Sequence, residues 1–116
     1  MPIDSKEKGK RFERTMASKL REYGYDARRT AQYCGKTGDA ADVVGAPGLH
    51  IECKAVERLN IYDAINQAKR DSKGKDLIPV VFHKKNNRNI LVTLEFEDFM
   101  KIYREYEEGI KEDYGD

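Results

Sequence analysis

The stretch Ala41-Asp42-Val43-Val44-Gly45-Ala46-Pro47-Gly48-Leu49-His50-Ile51-Glu52-Cys53-Lys54 decides the fold. Val43, Val44, Leu49 and Ile51 favour extended, buried backbone, and Pro47-Gly48 is a strong turn signal. The stretch therefore reads as two short strands joined by a tight turn. Side chains alternate along a strand, so Ile51 and Cys53 point one way and His50, Glu52 and Lys54 the other. A two-residue loop of Pro47 and Gly48 would pair Ala46 with Leu49 and set Asp42 against Cys53, on the wrong face to meet Glu52. A three-residue loop from Ala46 to Gly48, or a β-bulge, puts Asp42 across from Glu52 instead. One of these two is expected.

Two carboxylates held close together suit a hard divalent cation, and a neighbouring lysine suits a phosphate. That pairing outlines a metal-dependent phosphodiesterase site. The rest of the chain is compatible with it. A length of 116 residues fits one domain, here 1–116 with 1–4 and 109–116 frayed, and 37% charged beside 39% hydrophobic residues fits a globular fold. The net charge of +1 is unevenly spread. Residues 1–38 carry ten Lys/Arg against five Asp/Glu, residues 39–76 six against seven, and residues 77–116 six against nine. A basic first third suggests an anionic partner met by one face. The two cysteines, Cys34 and Cys53, form no CxxC pair and complete no zinc cluster. With no apolar leader and no run of transmembrane length, a reducing, cytoplasmic setting is expected.

Outward from the hairpin, Phe12, Met16 and Leu20 recur at helical spacing within 5–23, with Ala17 and Tyr23 widening the stripe and Gly24 as a stop. Glu13 lies at the border of that stripe. It reads either as a surface carboxylate pairing with nearby bases or as an acid reaching into the site of Asp42 and Glu52. Tyr25 to Gln32 reads as a strand carrying Arg28 and Arg29. The following loop contains Gly-Lys-Thr but lacks the earlier glycine and the helix of a P-loop, so Lys36 reads as a substrate contact rather than part of a nucleotide site. Asn60 is the expected N-cap of a helix to about Ser72 with Ile61, Ala64, Ile65 and Ala68 buried. Leu77 to His83 and Asn89 to Leu94 read as strands joined by a basic turn, with Pro79 near a strand start. Glu95 to Glu108 reads as a helix with Phe96, Phe99, Met100, Tyr103 and Tyr106 on its core side. The order α-β-β-β-α-β-β-α implies an α/β domain with a central mixed sheet flanked by helices.

Glu13 on the opening helix, Asp42 on a strand, Glu52-Cys53-Lys54 on the next and Gln67 in the following helix resemble the PD-(D/E)xK nuclease superfamily, with its restriction-endonuclease-like fold. Within it, residues 8–104 are most similar to the small archaeal-type and phage Holliday junction resolvases. Ala41 stands where the motif's name has proline, and Thr37 is a candidate for the loop residue such enzymes use near the scissile phosphate. The resemblance implies that Asp42 and Glu52 ligate Mg²⁺, or Mn²⁺ as a substitute, with the backbone carbonyl of Cys53 as third ligand. It implies that Lys54 positions the attacking water, that Glu13 contacts the metal through water or places a second ion, and that Gln67 steadies Lys54 or a bound water. It also implies a homodimeric endonuclease of branched DNA in a prokaryotic or phage-infected cell. Nucleases of the same fold acting on flaps, single strands or duplex are the alternative, as is an inactive DNA-binding module.

The basic rim expected to meet DNA is Lys10, Arg11, Arg14, Arg28, Arg29 and Lys36. His50 shares the face of Glu52 and could be drawn into the site, but it and His83 read as satisfied or exposed histidines, Cys53 as a small core residue, and Tyr62, Tyr103 and Tyr106 as core or interface positions.

Overall fold

The structure is a computed structural model and describes residues 4–30 and 41–113. Eight elements follow the expected order: α1 (Ser5–Glu22), β1 (Arg28–Arg29), β2 (Val43–Val44), β3 (Leu49–Ala55), α2 (Ile61–Asp71), β4 (Ile78–Lys84), β5 (Leu91–Thr93) and α3 (Phe96–Asp113). The strands form one mixed sheet in the order β1-β2-β3-β4-β5. β3 and β4 pair in parallel across the α2 crossover, and the other neighbours are antiparallel. Among the described residues, no helix is long and apolar enough to cross a membrane.

The two faces of the sheet are packed differently. α1 lays Phe12, Met16 and Ala17 onto Val43, Ile51, Cys53, Val80 and Phe82. Its start is fixed by Asp4, whose carboxylate accepts from the Glu7 N–H at 3.0 Å. Tyr23 caps its end in solvent instead of widening the buried stripe. On the other face α2 sets Ala64, Ile65 and Ala68 against Val81. Asn60 caps it as expected, its side chain accepting from the Asp63 N–H at 3.1 Å. The small residues on α2 let it approach closely enough for polar side chains of β3 to be enclosed beside them.

The hairpin solves its parity problem with a bulge. Ala46 accepts from the Leu49 N–H at 3.2 Å across Pro47-Gly48, and Gly48 takes φ +85°, as a turn with glycine at its third position requires. Further out, Val43 pairs with Ile51. That is three steps along one arm and two along the other, so the first arm carries an extra residue. Gly45 accommodates it at φ +109°, and a Cβ there would collide with the Asp26 carbonyl oxygen. Continued outward, this register sets Asp42 across from Glu52.

Several boundaries differ from the sequence expectations. β1 is two residues long, and Asp42 lies just outside β2, donating its N–H to the Ile51 carbonyl at 2.9 Å. α3 runs on through Gly109 to Asp113. The larger difference is on α3 itself. Phe96, Phe99, Tyr103 and Tyr106 do not face a core: no residue of α3 is buried. The sheet face that α3 would cover is short at β5, and Ile90 and Leu94 already complete the packing there.

Candidate active site

β3 carries the site because one strand passes between both helical layers. Its outward-alternating residues His50, Glu52 and Lys54 lie on the α2 side, while Ile51 and Cys53 enter the core under α1. Glu52 is 2% exposed, so its carboxyl is held away from water and needs polar partners. One is His50, itself 1% exposed, whose Nε2 lies 2.7 Å from Glu52 Oε2. Another is Asp42, which shares a side-chain hydrogen bond with it.

Asp42 reaches this place from the mouth of the hairpin. Its Oδ2 accepts from the Cys53 N–H at 2.8 Å, which ties it to the middle of β3. Burial raises its pKa to about 6, and the Glu52 charge pushes the same way; the Cys53 N–H and the Lys54 ammonium oppose both. A carboxyl pair that retains a proton near neutral pH, beside a lysine, is a donor set that a divalent cation would satisfy better. The residues therefore fit a metal of the kind this class uses.

Lys54 Nζ donates to Gln67 Oε1 at 3.1 Å, so the helix after the strand fixes the ammonium. Glu13 comes from α1. Burial raises its pKa, with a further contribution from Asp42, so it senses the same site. It also accepts from Arg29 Nε at 2.7 Å. Glu13 thus pairs with a base, and the charge of Asp42 reaches it there. Arg29 is consequently committed to Glu13 rather than open to solvent. The Cys53 thiol is buried, its pKa is pushed up by burial, and it belongs to the core.

The remaining rim is mixed. Lys10, Arg11 and Arg28 are exposed, and Arg14 is tied to Glu7 at 3.0 Å. Lys36 and Thr37 lie outside the described residues. A groove beside Lys54 and Cys53 runs past Gly9 and Lys8, whose ammonium lies 3.8 Å from Glu57. A second cleft, which shares Lys8 and Ala55 with it, is lined by Arg11, Lys19, Lys84 and Lys85. Lys84, the last residue of β4, and Lys85 after it were not in the expected rim.

Two further residues lie at the site. His50 is a satisfied histidine whose partner is Glu52, and Asp71, not singled out in the sequence, lies close enough that one ligand atom from each of the three falls within 4.8 Å of the others. His83 does behave as a satisfied histidine, with Nε2 2.8 Å from Thr93 Oγ1. The sequence carried a signal for the first two. His50 is two residues from Glu52 on one strand face. Asp71 is an acid in the last turn of α2, where the helix dipole disfavours it, and it follows Gln67 at i+4.

A glutamate on the opening helix, an acid at a hairpin mouth and a Glu-x-Lys on the next strand of a mixed sheet define a nuclease of the PD-(D/E)xK type. The family described as "Phage putative PDDEXK endonuclease" matches residues 4–113, and the chain belongs to it. Among solved structures it is similar to Hjc, a Holliday junction resolvase from the archaeal hyperthermophile Archaeoglobus fulgidus, at 25% identity and a TM-score of 0.59. That match covers 74% of this chain and 76% of the resolvase. No curated protein matches the sequence.

Proposed function

We propose that this endonuclease hydrolyses DNA phosphodiesters with a divalent cation, Mg²⁺ or Mn²⁺ in its place, and that its substrate is branched DNA such as a Holliday junction. One observation carries the metal reading. Asp42 and Glu52 are brought together where water is scarce, and burial first, then the Glu52 charge, raises the Asp42 pKa to about 6. The similarity to the archaeal resolvase supports the branched substrate.

In this reading Asp42 and Glu52 hold the cation. The Cys53 carbonyl is the third ligand: the N–H and C=O of one strand residue face the same neighbour, and the Cys53 N–H already meets Asp42. The bound cation supplies charge neutralisation at the phosphate and a lowered pKa for the attacking water. Lys54, held by Gln67, orients that water and stabilises charge on the phosphoryl oxygens. Glu13 accepts a hydrogen bond from water on the opposite side, and Arg29 fixes its carboxylate. His50 holds Glu52 in its ligating orientation, with Asp71 behind it, as partners of metal ligands commonly do. The DNA backbone follows the groove from Lys54 past Lys8 to Arg11, Lys19, Lys84 and Lys85, with Lys10, Arg14, Arg28 and Lys36 at its margins. Two copies act together in an infected or prokaryotic cytoplasm, since symmetric cuts need two sites.

The test is cleavage of labelled four-way junction, flap, single strand and duplex, each with Mg²⁺ and with excess EDTA. Symmetric nicking of the junction only with metal is expected. Preference for flap, single strand or duplex would replace the substrate. Binding without cleavage under every metal would leave an inactive DNA-binding module.

A further inference from the structure

We infer that His50, Glu52 and Asp71 form a second cation site, on the α2 side of β3, and that it takes Zn²⁺ or a chemically similar ion rather than Mg²⁺. The starting observation is Asp71. It is the last residue of α2 and is 9% exposed. Its carboxylate makes no hydrogen bond or ion pair with any other described residue. A buried carboxylate without a donor is costly. The negative end of the helix dipole adds to that cost here.

The gap in front of Asp71 has definite walls. One ligand atom from each of His50, Glu52 and Asp71 lies within 4.8 Å of the other two. His50 and Glu52 touch, with Nε2 2.7 Å from Oε2, while Asp71 stands near both and bonds to neither. All three side chains are at least nine-tenths buried. No Lys or Arg among the described residues pairs with Glu52 or Asp71. Two enclosed acids beside an imidazole thus lack the positive partner that a dication supplies.

The donors identify the ion. An imidazole nitrogen suits Zn²⁺, Co²⁺ or Ni²⁺, whereas Mg²⁺ prefers oxygen throughout. Ligand atoms about 2.0–2.1 Å from a tetrahedral Zn²⁺ stand about 3.4 Å apart, so the His50–Glu52 pair opens by about 0.7 Å to admit one. Asp71 closes from the helix, and a water completes the shell. The position made by Asp42, Glu52 and the Cys53 carbonyl is all oxygen, so the two positions select different ions. They share Glu52, which is also hydrogen-bonded with Asp42. An ion beside His50 draws that carboxylate away from Asp42, so Zn²⁺ slows Mg²⁺-dependent cleavage. That last consequence rests on the proposed nuclease site; the cation site itself does not.

The test is Co²⁺, a spectroscopic stand-in for Zn²⁺, titrated into the full chain without DNA or Mg²⁺ in a Cys34→Ser background. One equivalent should bind with a visible ligand-field band and raise the melting temperature. Asp71→Asn keeps the size of the side chain, so it should melt in EDTA as the parent does. Its Co²⁺ affinity should nonetheless fall by about 100-fold or more, and His50→Gln should lose the band as well. Asp42→Asn should keep the band, with affinity within about threefold of the parent. In cleavage assays with Mg²⁺, Zn²⁺ should inhibit the parent at a concentration about 30-fold or more below that needed for Asp71→Asn. No uptake, as a water in the gap would give, or a band that survives Asp71→Asn would overturn the second site. A band lost in Asp42→Asn would overturn it too, while leaving the oxygen-lined site standing. Equal inhibition of the parent and Asp71→Asn by Zn²⁺ would overturn the braking role.

Discussion

The mouth of the β2–β3 hairpin and the surface of α3 break the same patterning rule in opposite directions. At the hairpin Glu52, His50 and Asp71 are buried, where apolar residues are the norm. On α3 six large apolar side chains lie in water, where charges are the norm. Both breaches cost stability in the isolated chain, and at the hairpin a cost retained inside an otherwise consistent fold marks where something else must bind. The hairpin mouth has an excess of oxygen ligands, so it calls for a cation. α3 has an excess of rings, and none of its residues is buried.

The contrast is tested most severely by removing the central ligand. Glu52→Ala should lower the cleavage rate by about 10³-fold or more, equivalent to roughly 4 kcal/mol, while DNA binding by gel shift survives. Undiminished cleavage would remove the hairpin mouth from the chemistry. Gly45→Ala comes next, at about 3 kcal/mol of folding stability, because its Cβ collides with fixed backbone and its φ is positive. Urea titration reads this directly, and a neutral result would mean that the bulge is not locked.

Asp42→Asn should do something unusual for a site residue and stabilise the metal-free protein. The folded pKa of about 6 lies above the ordinary value of 3.8. The folded state therefore holds the proton more tightly, and stability falls as pH rises between those values. At about 1.4 kcal/mol per pH unit the asparagine variant gains up to about 3 kcal/mol at pH 8, and nothing near pH 4. Melting curves in EDTA at both pH values measure the difference, and a gain independent of pH would contradict the burial argument. His50→Gln should weaken metal affinity by about 10- to 100-fold, read from the metal-induced rise in melting temperature and from the half-saturating metal concentration for cleavage. A loss in turnover with no change in either midpoint would instead make His50 a participant in the reaction. Phe96→Ser on α3 should be the mildest, within about 0.5 kcal/mol for the monomer, since the ring touches no core.

Much of this was legible in the residues. The order of elements and the face shared by Glu52 and Lys54 follow from periodicity and strand alternation, because each is a local property. The parity of Asp42 was narrowed to two solutions but could not be closed, since it depends on Gly45 meeting Asp26, in the segment before β1. His50 looked incidental because its value lies in being enclosed by α2, and enclosure is a tertiary fact. The aromatic stripe of α3 was visible, but a stripe that meets the protein's own core and one left in water have the same spacing. What separates them is whether the sheet has any face left to cover.

The bulge at Gly45 has a consequence for how this chain tolerates change in length. Most surface turns accept an inserted or deleted residue at little cost. Here the extra residue on the first arm is what sets Asp42 across from Glu52. Deleting Gly45 would leave arms of equal length and keep Asp42 across from Glu52, whereas inserting one more residue into that arm with the bulge kept would turn Asp42 toward Cys53 and the α1 face. The hairpin is thus read by counting as well as by chemistry.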